Sequence, residues 1–196
     1  MKKISLVFAA LVLVFSGSFA QKTEWTLDKV HSNIGFTIDH MVVSEVNGAF
    51  DDYVLNVKAD KPDFTDAAFD VTIKTKSVNT KETNRDNHLK SADFFDSEKY
   101  ADITFKGKSF KKIKGNIYKV AGDLTIKDVT KSITLEAKFM GIVKDGKGNL
   151  HAGVKVTGII DRYIWGLKYN SSLDNGGVMI GQKVTLQASF ELIQKK

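Results

Sequence analysis

Apolar and polar residues alternate at every second position through most of this chain. Ile34, Phe36 and Ile38 share one face of a segment whose other face carries Thr37 and Asp39. A period of two is typical of a β-strand with one buried face, because successive side chains point to opposite sides. Further segments repeat the pattern, with these apolar members on shared faces: Tyr53, Leu55, Val57; Phe69, Val71, Ile73; Ile103, Phe105; Val120, Leu124, Ile126; Ile133, Leu135, Ala137, Phe139; Leu150, Ala152, Val154, Val156; Val184, Leu186, Ala188, Phe190, Leu192.

Turn-forming residues separate these segments, for example at 114–116, 144–149 and 174–177. Short strands joined by turns are typical of an antiparallel sandwich or barrel, and here we expect about eight strands. The polar faces carry Lys, Asp, Glu and Thr, which belong in water, so the apolar faces must point inward. An outer-membrane barrel would show the reverse arrangement. The sequence therefore predicts an all-β, antiparallel fold that is not an integral membrane protein.

The first twenty residues have the composition of a secretory signal peptide. Lys2 and Lys3 precede an apolar run over 4–15, and Ser18 and Ala20 fit the small-residue cleavage pattern. We expect cleavage after Ala20, delivery to the periplasm, and one domain over residues 21–196. The chain has no Cys, so the fold must depend on its hydrophobic core and not on disulfides.

Charge and motifs exclude several classes of function. The formal net charge is +6, but the basic residues are nearly all Lys, spread singly between acids, and only Arg85 and Arg162 are Arg. Nucleic-acid readers favour clustered Arg, so we predict no nucleic-acid partner. His31, His40, His88 and His151 show no local metal-ligand spacing, and no nucleophile elbow or phosphate loop is present. We predict no metal, no cofactor and no catalytic residue.

The charged stretch at 84–96 breaks the strand pattern. Thr83 can cap a short helix with Asp86 in the capping-box position, and Asp86 with Lys90 forms an acid–base pair four residues apart. The apolar pair Phe94 and Phe95 follows. The pattern predicts a short helical cover across one end of the barrel.

Four ordered blocks of residues resemble the YceI-like family. The first block contains Asp28, His31-Ser32, Phe36, His40 and Gly48-x-Phe50. The second contains Thr80, Arg85-Asp86-x-His88-Leu89, Phe94-Phe95-Asp96 and Ile103-Thr104-Phe105; the third, Gly122–Ile126 and Val129-Thr130; the fourth, Arg162, Trp165 and Gly166. Tyr163 and Ile164 replace a more common polar pair, which leaves the identity of the ligand open.

The resemblance implies a lipocalin-like antiparallel β-barrel with one or two short helices, secreted to the periplasm. It implies that the hydrophobic interior holds a long isoprenoid chain of the quinone or polyprenol type, without catalysis. Three alternatives remain: a solid core, sequestration of a fatty acid or fatty amide, and a lipid-modifying enzyme with His88 or His31 as the acid–base group. A homodimer is also compatible with the sequence.

Residues predicted to contact the lipid are mostly the inward members of the alternating segments. They are Ile34, Phe36, Ile38, Phe50, Val71, Ile73, Phe94, Phe95, Ile103, Phe105, Leu124, Ile126, Leu135, Phe139, Val154, Val156, Trp165, Val184 and Leu186. Arg85, His88 and Arg162 are predicted to lie at the mouth, either near a head group or holding loops together.

Overall fold

A computed structural model describes residues 22–173 and 177–195. The predicted signal peptide and most of the predicted turn at 174–177 lie outside the described residues. The described elements are β1 (Glu24–His40), β2 (Ser44–Phe50), β3 (Tyr53–Lys58), β4 (Ala68–Lys74), a 3₁₀ turn (Thr75–Ser77), β5 (Val78–Asn79), α1 (Thr83–Lys90), β6 (Asp102–Lys114), β7 (Ile117–Ile126), β8 (Val129–Lys144), β9 (Leu150–Asp161), a second 3₁₀ turn (Arg162–Trp165) and β10 (Ile180–Gln194).

Eight of these strands close into an antiparallel barrel, which confirms the predicted fold class. Neighbours around the barrel run in the order β10, β9, β8, β7, β6, β4, β3 and β1, and β1 pairs again with β10. The first part of β1 pairs with β3, whereas its last part, from Gly35 to His40, pairs with β2. The pairing of β1 with β10 closes the sheet on itself, so the inward faces of its strands enclose a common interior.

Alternation along the strands sets which side chains face the interior. In β3, Tyr53, Leu55 and Val57 are buried, while Val54 between them is 51% exposed. In β7, Tyr118 and Val120 are buried in the same manner. Because the period of a strand is two, a one-residue slip of register would move every one of these side chains into water. The hydrophobic pattern therefore fixes the register.

The pairing of β1 with β10 is interrupted near the start of β1. Asp28 pairs with Glu191 and Asn33 with Ser189, so residues 29–32 of β1 lie opposite the single residue Phe190. Side chains replace the missing ladder bonds: Ser32 Oγ accepts from the Glu191 backbone N–H at 2.9 Å, and Asn33 Oδ1 accepts from the Ser189 N–H at 3.2 Å. This bulge is therefore an ordered part of the strand pair that closes the barrel.

Aromatic side chains close one end of the barrel, which we call the floor (Trp25, Phe64, Phe110, Tyr118 and Phe139). The loop between β3 and β4 carries the Phe64 ring to 4.9 Å from the centre of the Trp25 ring and 5.2 Å from that of Phe139. Tyr118 stacks on Phe110 at 4.5 Å. All five floor residues are buried, so this end is solid.

Helix α1 forms where the sequence predicts it, but its N-terminus is capped by a different residue. Glu82 is the N-cap, and its carboxylate accepts from the backbone N–H groups of Asn84 at 3.0 Å and Arg85 at 2.6 Å. Thr83 is instead the first helical residue, so the prediction that Thr83 is the cap is wrong. The shift of one residue also removes Asp86 from the capping-box position.

Asp86 holds the start of α1 to the segment before it. Its Oδ1 accepts from the Thr80 backbone N–H at 2.8 Å and from the Thr80 hydroxyl at 2.7 Å. Within the described part of the chain Asp86 and Lys90 form no ion pair, contrary to the prediction. The carboxylate satisfies partly buried donors instead, which stabilises more than an exposed pair on a helix surface.

Candidate ligand-binding site

A long cavity of about 570 Å³ runs through the barrel. It extends from Phe64 and Phe110 at the floor to α1 and the second 3₁₀ turn at the opposite end. Its walls are almost wholly aliphatic and aromatic. The interior is therefore not a solid core, and that alternative is excluded.

Most of the side chains that the sequence predicted to contact a ligand line this cavity. They are Ile34, Phe36, Ile38, Phe50, Val71, Ile73, Phe94, Phe95, Ile103, Phe105, Leu124, Ile126, Leu135, Val154, Val156, Val184 and Leu186. Most of these residues lie far apart in the sequence but line one cavity, because the inward faces of all barrel strands enclose the same space.

Two predicted residues do not lie on the cavity wall. Phe139 belongs to the floor and is separated from the cavity by the ring of Phe64. Trp165 is 2% exposed, and its indole Nε1 donates to the Leu124 carbonyl at 3.2 Å, which fixes the second 3₁₀ turn against β7. Both side chains are buried structural anchors, a role that periodicity does not distinguish from a lining role.

Several residues that line the cavity were not predicted to contact the lipid. Phe69 lies on the wall, Leu89 and Tyr169 lie near the cover, and Phe64 and Phe110 belong to the floor. The alternation of β4 signals Phe69, which shares the face of Val71. Phe64 lies in an irregular loop after Pro62, where no period exists to signal that its side chain points inward.

Glycines allow large side chains to lie flat against the wall instead of filling the cavity. A Cβ placed on Gly48 would lie 2.2 Å from the Phe36 ring, and one on Gly158 would lie 2.3 Å from Leu135 Cδ2. Gly107 receives the ring of Phe69 in the same way. These three glycines each receive a side chain from the neighbouring strand, which keeps the centre of the barrel open.

Polar groups gather at the other end of the cavity, which we call the mouth (His40, Arg85, His88, Arg162 and Tyr169). His88 Nε2 lies 2.9 Å from Asp93 Oδ2, and its ring packs edge-on against Phe94 at 5.0 Å and Tyr169 at 4.7 Å. The two rings flank the imidazole, so polar and aromatic groups meet at the mouth.

The two arginines of the mouth are held by hydrogen bonds to the chain. Arg85 Nε donates to the Thr80 hydroxyl at 2.7 Å, and its NH2 group donates to the Thr80 carbonyl at 3.0 Å. Arg162 is 3% exposed and donates to the carbonyls of Leu167, Ile180 and Gly181. Both therefore tie loops together at the mouth while facing the cavity.

Burial lowers the pKa of the Arg162 guanidinium below its ordinary value, and the charge of Asp161 opposes this effect. An arginine remains protonated even so, because its ordinary pKa lies above about 12. The side chain thus brings a fixed positive charge to the cavity boundary. That charge and the N–H donors beside it are suited to a polar or anionic head group.

The fold and the cavity define a class: an antiparallel barrel that encloses an apolar space with one polar end. Within that class the chain belongs to the YceI-like family, since the model of the YceI-like domain matches residues 25–192. A UPF0312 protein of Staphylococcus aureus (strain N315) is 42% identical over 170 residues, covering 86% of this chain and 96% of that protein.

Solved structures agree with this assignment. The Campylobacter jejuni YCEI protein is 37% identical and superposes with a TM-score of 0.70 over 88% of this chain and 99% of its own. A polyisoprenoid binding domain from Saccharophagus degradans superposes with a TM-score of 0.62 at 13% identity, over 90% of this chain and 100% of that domain. At that identity the likeness concerns the fold alone. In the described part of this chain, no helix has the length and hydrophobicity needed to cross a bilayer.

Proposed function

We propose that this protein binds one long-chain isoprenoid lipid, of the quinone or polyprenol type, with its tail inside the barrel. The observation that carries the proposal is the apolar cavity of about 570 Å³ between a solid floor and a polar mouth. An apolar space that extends from the floor to one polar end matches a linear apolar chain that carries a single head group.

The energetics favour tail burial as the source of affinity. Transfer of one CH₂ from water to an apolar site is worth about 0.8 kcal/mol, so several isoprene units supply far more than a useful affinity requires. The loss of conformational freedom in the lipid tail, and of translational and rotational freedom on binding, offsets much of this gain. The donors of Arg162 and Arg85 at the mouth then select the head group.

We propose binding and carriage in the periplasm, without catalysis. His88, the acid–base candidate at the mouth, is engaged with Asp93 and packed between two rings. A domain of the same fold from Saccharophagus degradans is described as polyisoprenoid binding, and an isoprenoid is the lipid class that we propose for this barrel.

Mass spectrometry of the protein purified from cells under non-denaturing conditions tests the proposal. We expect a bound species that organic extraction releases and identifies as an isoprenoid. The extracted, empty protein should then bind an added polyprenol or quinone with 1:1 stoichiometry. Absence of lipid in the extract, together with no binding of either compound, would refute the proposal.

A matched pair of substitutions separates binding in the cavity from adhesion to the outside. Ala188 lines the cavity, whereas Ala121 lies on β7 between the inward residues Val120 and Gly122 and is absent from the wall. Ala188→Trp should place a bulky ring in the cavity and block entry of the lipid tail, while Ala121→Trp should leave lipid binding unchanged. Equal affinities for the two variants would place the lipid elsewhere.

Competition identifies the class of lipid. A polyprenol and a fatty acid of moderate length are added together to the empty protein, and the retained species is quantified. Preference for the fatty acid would favour sequestration of fatty acids or amides on the same barrel. We expect the polyprenol to be retained.

A further inference from the structure

Outside the cavity, the β1 bulge assembles a second cluster of chemically active side chains. His31 Nδ1 lies 3.0 Å from Asp28 Oδ2 and 3.9 Å from Glu191 Oε2. These three ligand atoms all lie within 4.8 Å of one another. The cluster joins β1 to β10 and shares no residue with the cavity wall.

The placement of the two carboxylates is unfavourable in the absence of a cation. Asp28 and Glu191 are direct cross-strand partners, and like charges at such positions destabilise a sheet. Among residues 22–173 and 177–195, no lysine or arginine forms an ion pair with either carboxylate. The imidazole of His31 is the group that the bulge inserts between them.

The surrounding hydrogen bonds hold the candidate ligands in place. Asp28 Oδ1 accepts from the backbone N–H groups of Val30 at 2.9 Å and His31 at 3.3 Å, which leaves Oδ2 to face the imidazole. Glu191 Oε1 lies 2.7 Å from His151 Nδ1, which leaves Oε2 to face His31. In each carboxylate one oxygen is thus fixed by the protein and the other is directed into the cluster.

A further carboxylate orients His151. Its Nε2 lies 3.2 Å from Asp145 Oδ2, and Asp145 in turn accepts from the side chain and the backbone of Asn149 at 2.9 and 2.8 Å. Carboxylate–imidazole chains of this kind stand behind many metal ligands, where they fix the orientation of the residue that binds the ion.

We propose that Asp28 Oδ2, His31 Nδ1 and Glu191 Oε2 bind a divalent transition-metal ion such as Zn²⁺. One imidazole nitrogen and two carboxylate oxygens are donors that Zn²⁺ accepts, and nitrogen ligation disfavours Mg²⁺ and Ca²⁺. His31 is 63% exposed, so an ion can enter from solvent and water completes its coordination. The ion would join the two strands that close the barrel.

Spacing rules applied to the sequence could not detect this site. Asp28 and His31 are three residues apart. Glu191 and His151 lie far from them along the chain, although their strands are neighbours in the folded barrel. Only the bulge opposite Phe190 turns His31 toward β10. The prediction of no metal site rested on local spacing, and the proposal departs from it on the folded geometry.

Calorimetric titration of the protein, purified without a polyhistidine tag, with Zn²⁺ tests the site. We expect saturable binding of one ion per chain, and a rise in Tm of about 5 °C or more at an excess of 100-fold over Kd. His31→Ala and Glu191→Gln should abolish both effects. His151→Gln, which removes an orienting group only, should weaken binding about 10- to 100-fold.

Two further variants separate ligation from stability of the fold. Glu24→Gln removes another β1 carboxylate, one paired with Lys58 and Lys195 outside the cluster, and should leave Zn²⁺ binding unchanged. His31→Cys should restore binding that His31→Ala lacks, because a thiolate is a zinc ligand. Absence of saturable Zn²⁺ binding, or an unchanged Kd in a folded His31→Ala variant, would overturn the proposal.

Discussion

Phe64 adopts a positive φ of 58° in the loop between β3 and β4, and its ring is 2% exposed. A bulky residue rarely adopts this backbone conformation, which is held here by the packing of the ring between Trp25 and Phe139. The ring also forms the bottom of the cavity. One side chain therefore contributes to stability and sets the depth of the cavity.

Phe64→Ala should lower the free energy of unfolding by about 3 to 5 kcal/mol, because it removes a buried ring from a tightly packed floor. It should also deepen the cavity and shift preference toward longer polyprenols. Urea unfolding measures the first effect, and competition between two polyprenols of different length measures the second. Phe69→Ala is the control, since it widens the wall without deepening the cavity. An unchanged length preference in the Phe64 variant would contradict the assignment of the floor.

Two buried tyrosines give the fold a sensitivity to high pH. Burial raises the pKa of both Tyr53 and Tyr118 above the ordinary value for a phenol. A raised pKa in the folded state favours the neutral phenol. The contribution of these groups to stability is therefore fully present below about pH 10, the ordinary pKa, and is lost as the pH rises above it.

Absorbance at the phenolate wavelength, followed against pH, tests this sensitivity. Of the five tyrosines in the chain, Tyr53 and Tyr118 should ionise later in the native protein than in denaturant. Tyr118→Phe should remove part of the late phase. Ionisation of all tyrosines together, with the barrel still folded, would be inconsistent with the burial of these two rings.

Within the barrel wall, the glycines of one strand determine where the side chains of the next strand can lie. Gly158→Ala should push Leu135 into the cavity and reduce lipid affinity about tenfold or more, because the new Cβ would lie 2.3 Å from Leu135 Cδ2. Loss of stability should be small, since the end of a flexible side chain can move. Gly146→Ala, where an added Cβ meets nothing within 4 Å, is the matched control. Lipid titration measures the affinity of both variants. Equal affinities would show that lipid binding does not depend on the position of Leu135 against the wall.

Helix α1 and the segment after it form the cover of the mouth through Phe94 and Phe95. Phe94 packs against Tyr169 at 5.2 Å, and Phe95 packs against Phe50 at 5.7 Å. Phe94→Ala and Phe95→Ala should each weaken lipid binding about tenfold or more, because burial of a phenylalanine is worth about 1.5 to 3 kcal/mol. Ile113 lies on β6 and is 50% exposed, so Ile113→Ala should have no effect on lipid affinity. If both phenylalanine variants keep full affinity, the cover does not contact the lipid.

The strands could be predicted from the sequence because their faces obey a local rule, whereas the features that depend on distant contacts could not. Alternation identified the inward side chains from Ile34 to Leu186. Alternation could not place Phe139 in the floor instead of on the cavity wall, because that position depends on Phe64 in a loop from elsewhere in the chain. Local rules could not predict that Glu82, and not Thr83, is the N-cap of α1, since both side chains offer an oxygen acceptor. The hydrogen bond from Thr80 to Asp86 fixes where the helix begins.

The stability of the whole barrel should depend on whether the proposed lipid is bound. A ligand that binds only the folded state raises stability by about 2.7 kcal/mol at 100 times its Kd. The lipid-extracted protein should therefore unfold at a lower temperature than the loaded one, and added polyprenol should restore the difference. Calorimetry measures both transitions. Ala188→Trp, whose new ring obstructs the cavity, should unfold at a temperature that does not depend on added lipid. A lipid-dependent shift of the unfolding temperature in that variant would count against binding inside the barrel.

Among the described residues, the floor closes one end of the cavity and leaves the mouth as the route in and out. For the isoprenoid that we propose, the tail must therefore enter first and leave last, and the head group is the part that faces out of the barrel. Withdrawal returns the tail to water one segment at a time, and each CH₂ re-exposed adds up to about 0.8 kcal/mol to the barrier. The lifetime of the complex should therefore increase with the length of the tail. The closed end of the barrel would in this way control the rate at which the lipid dissociates.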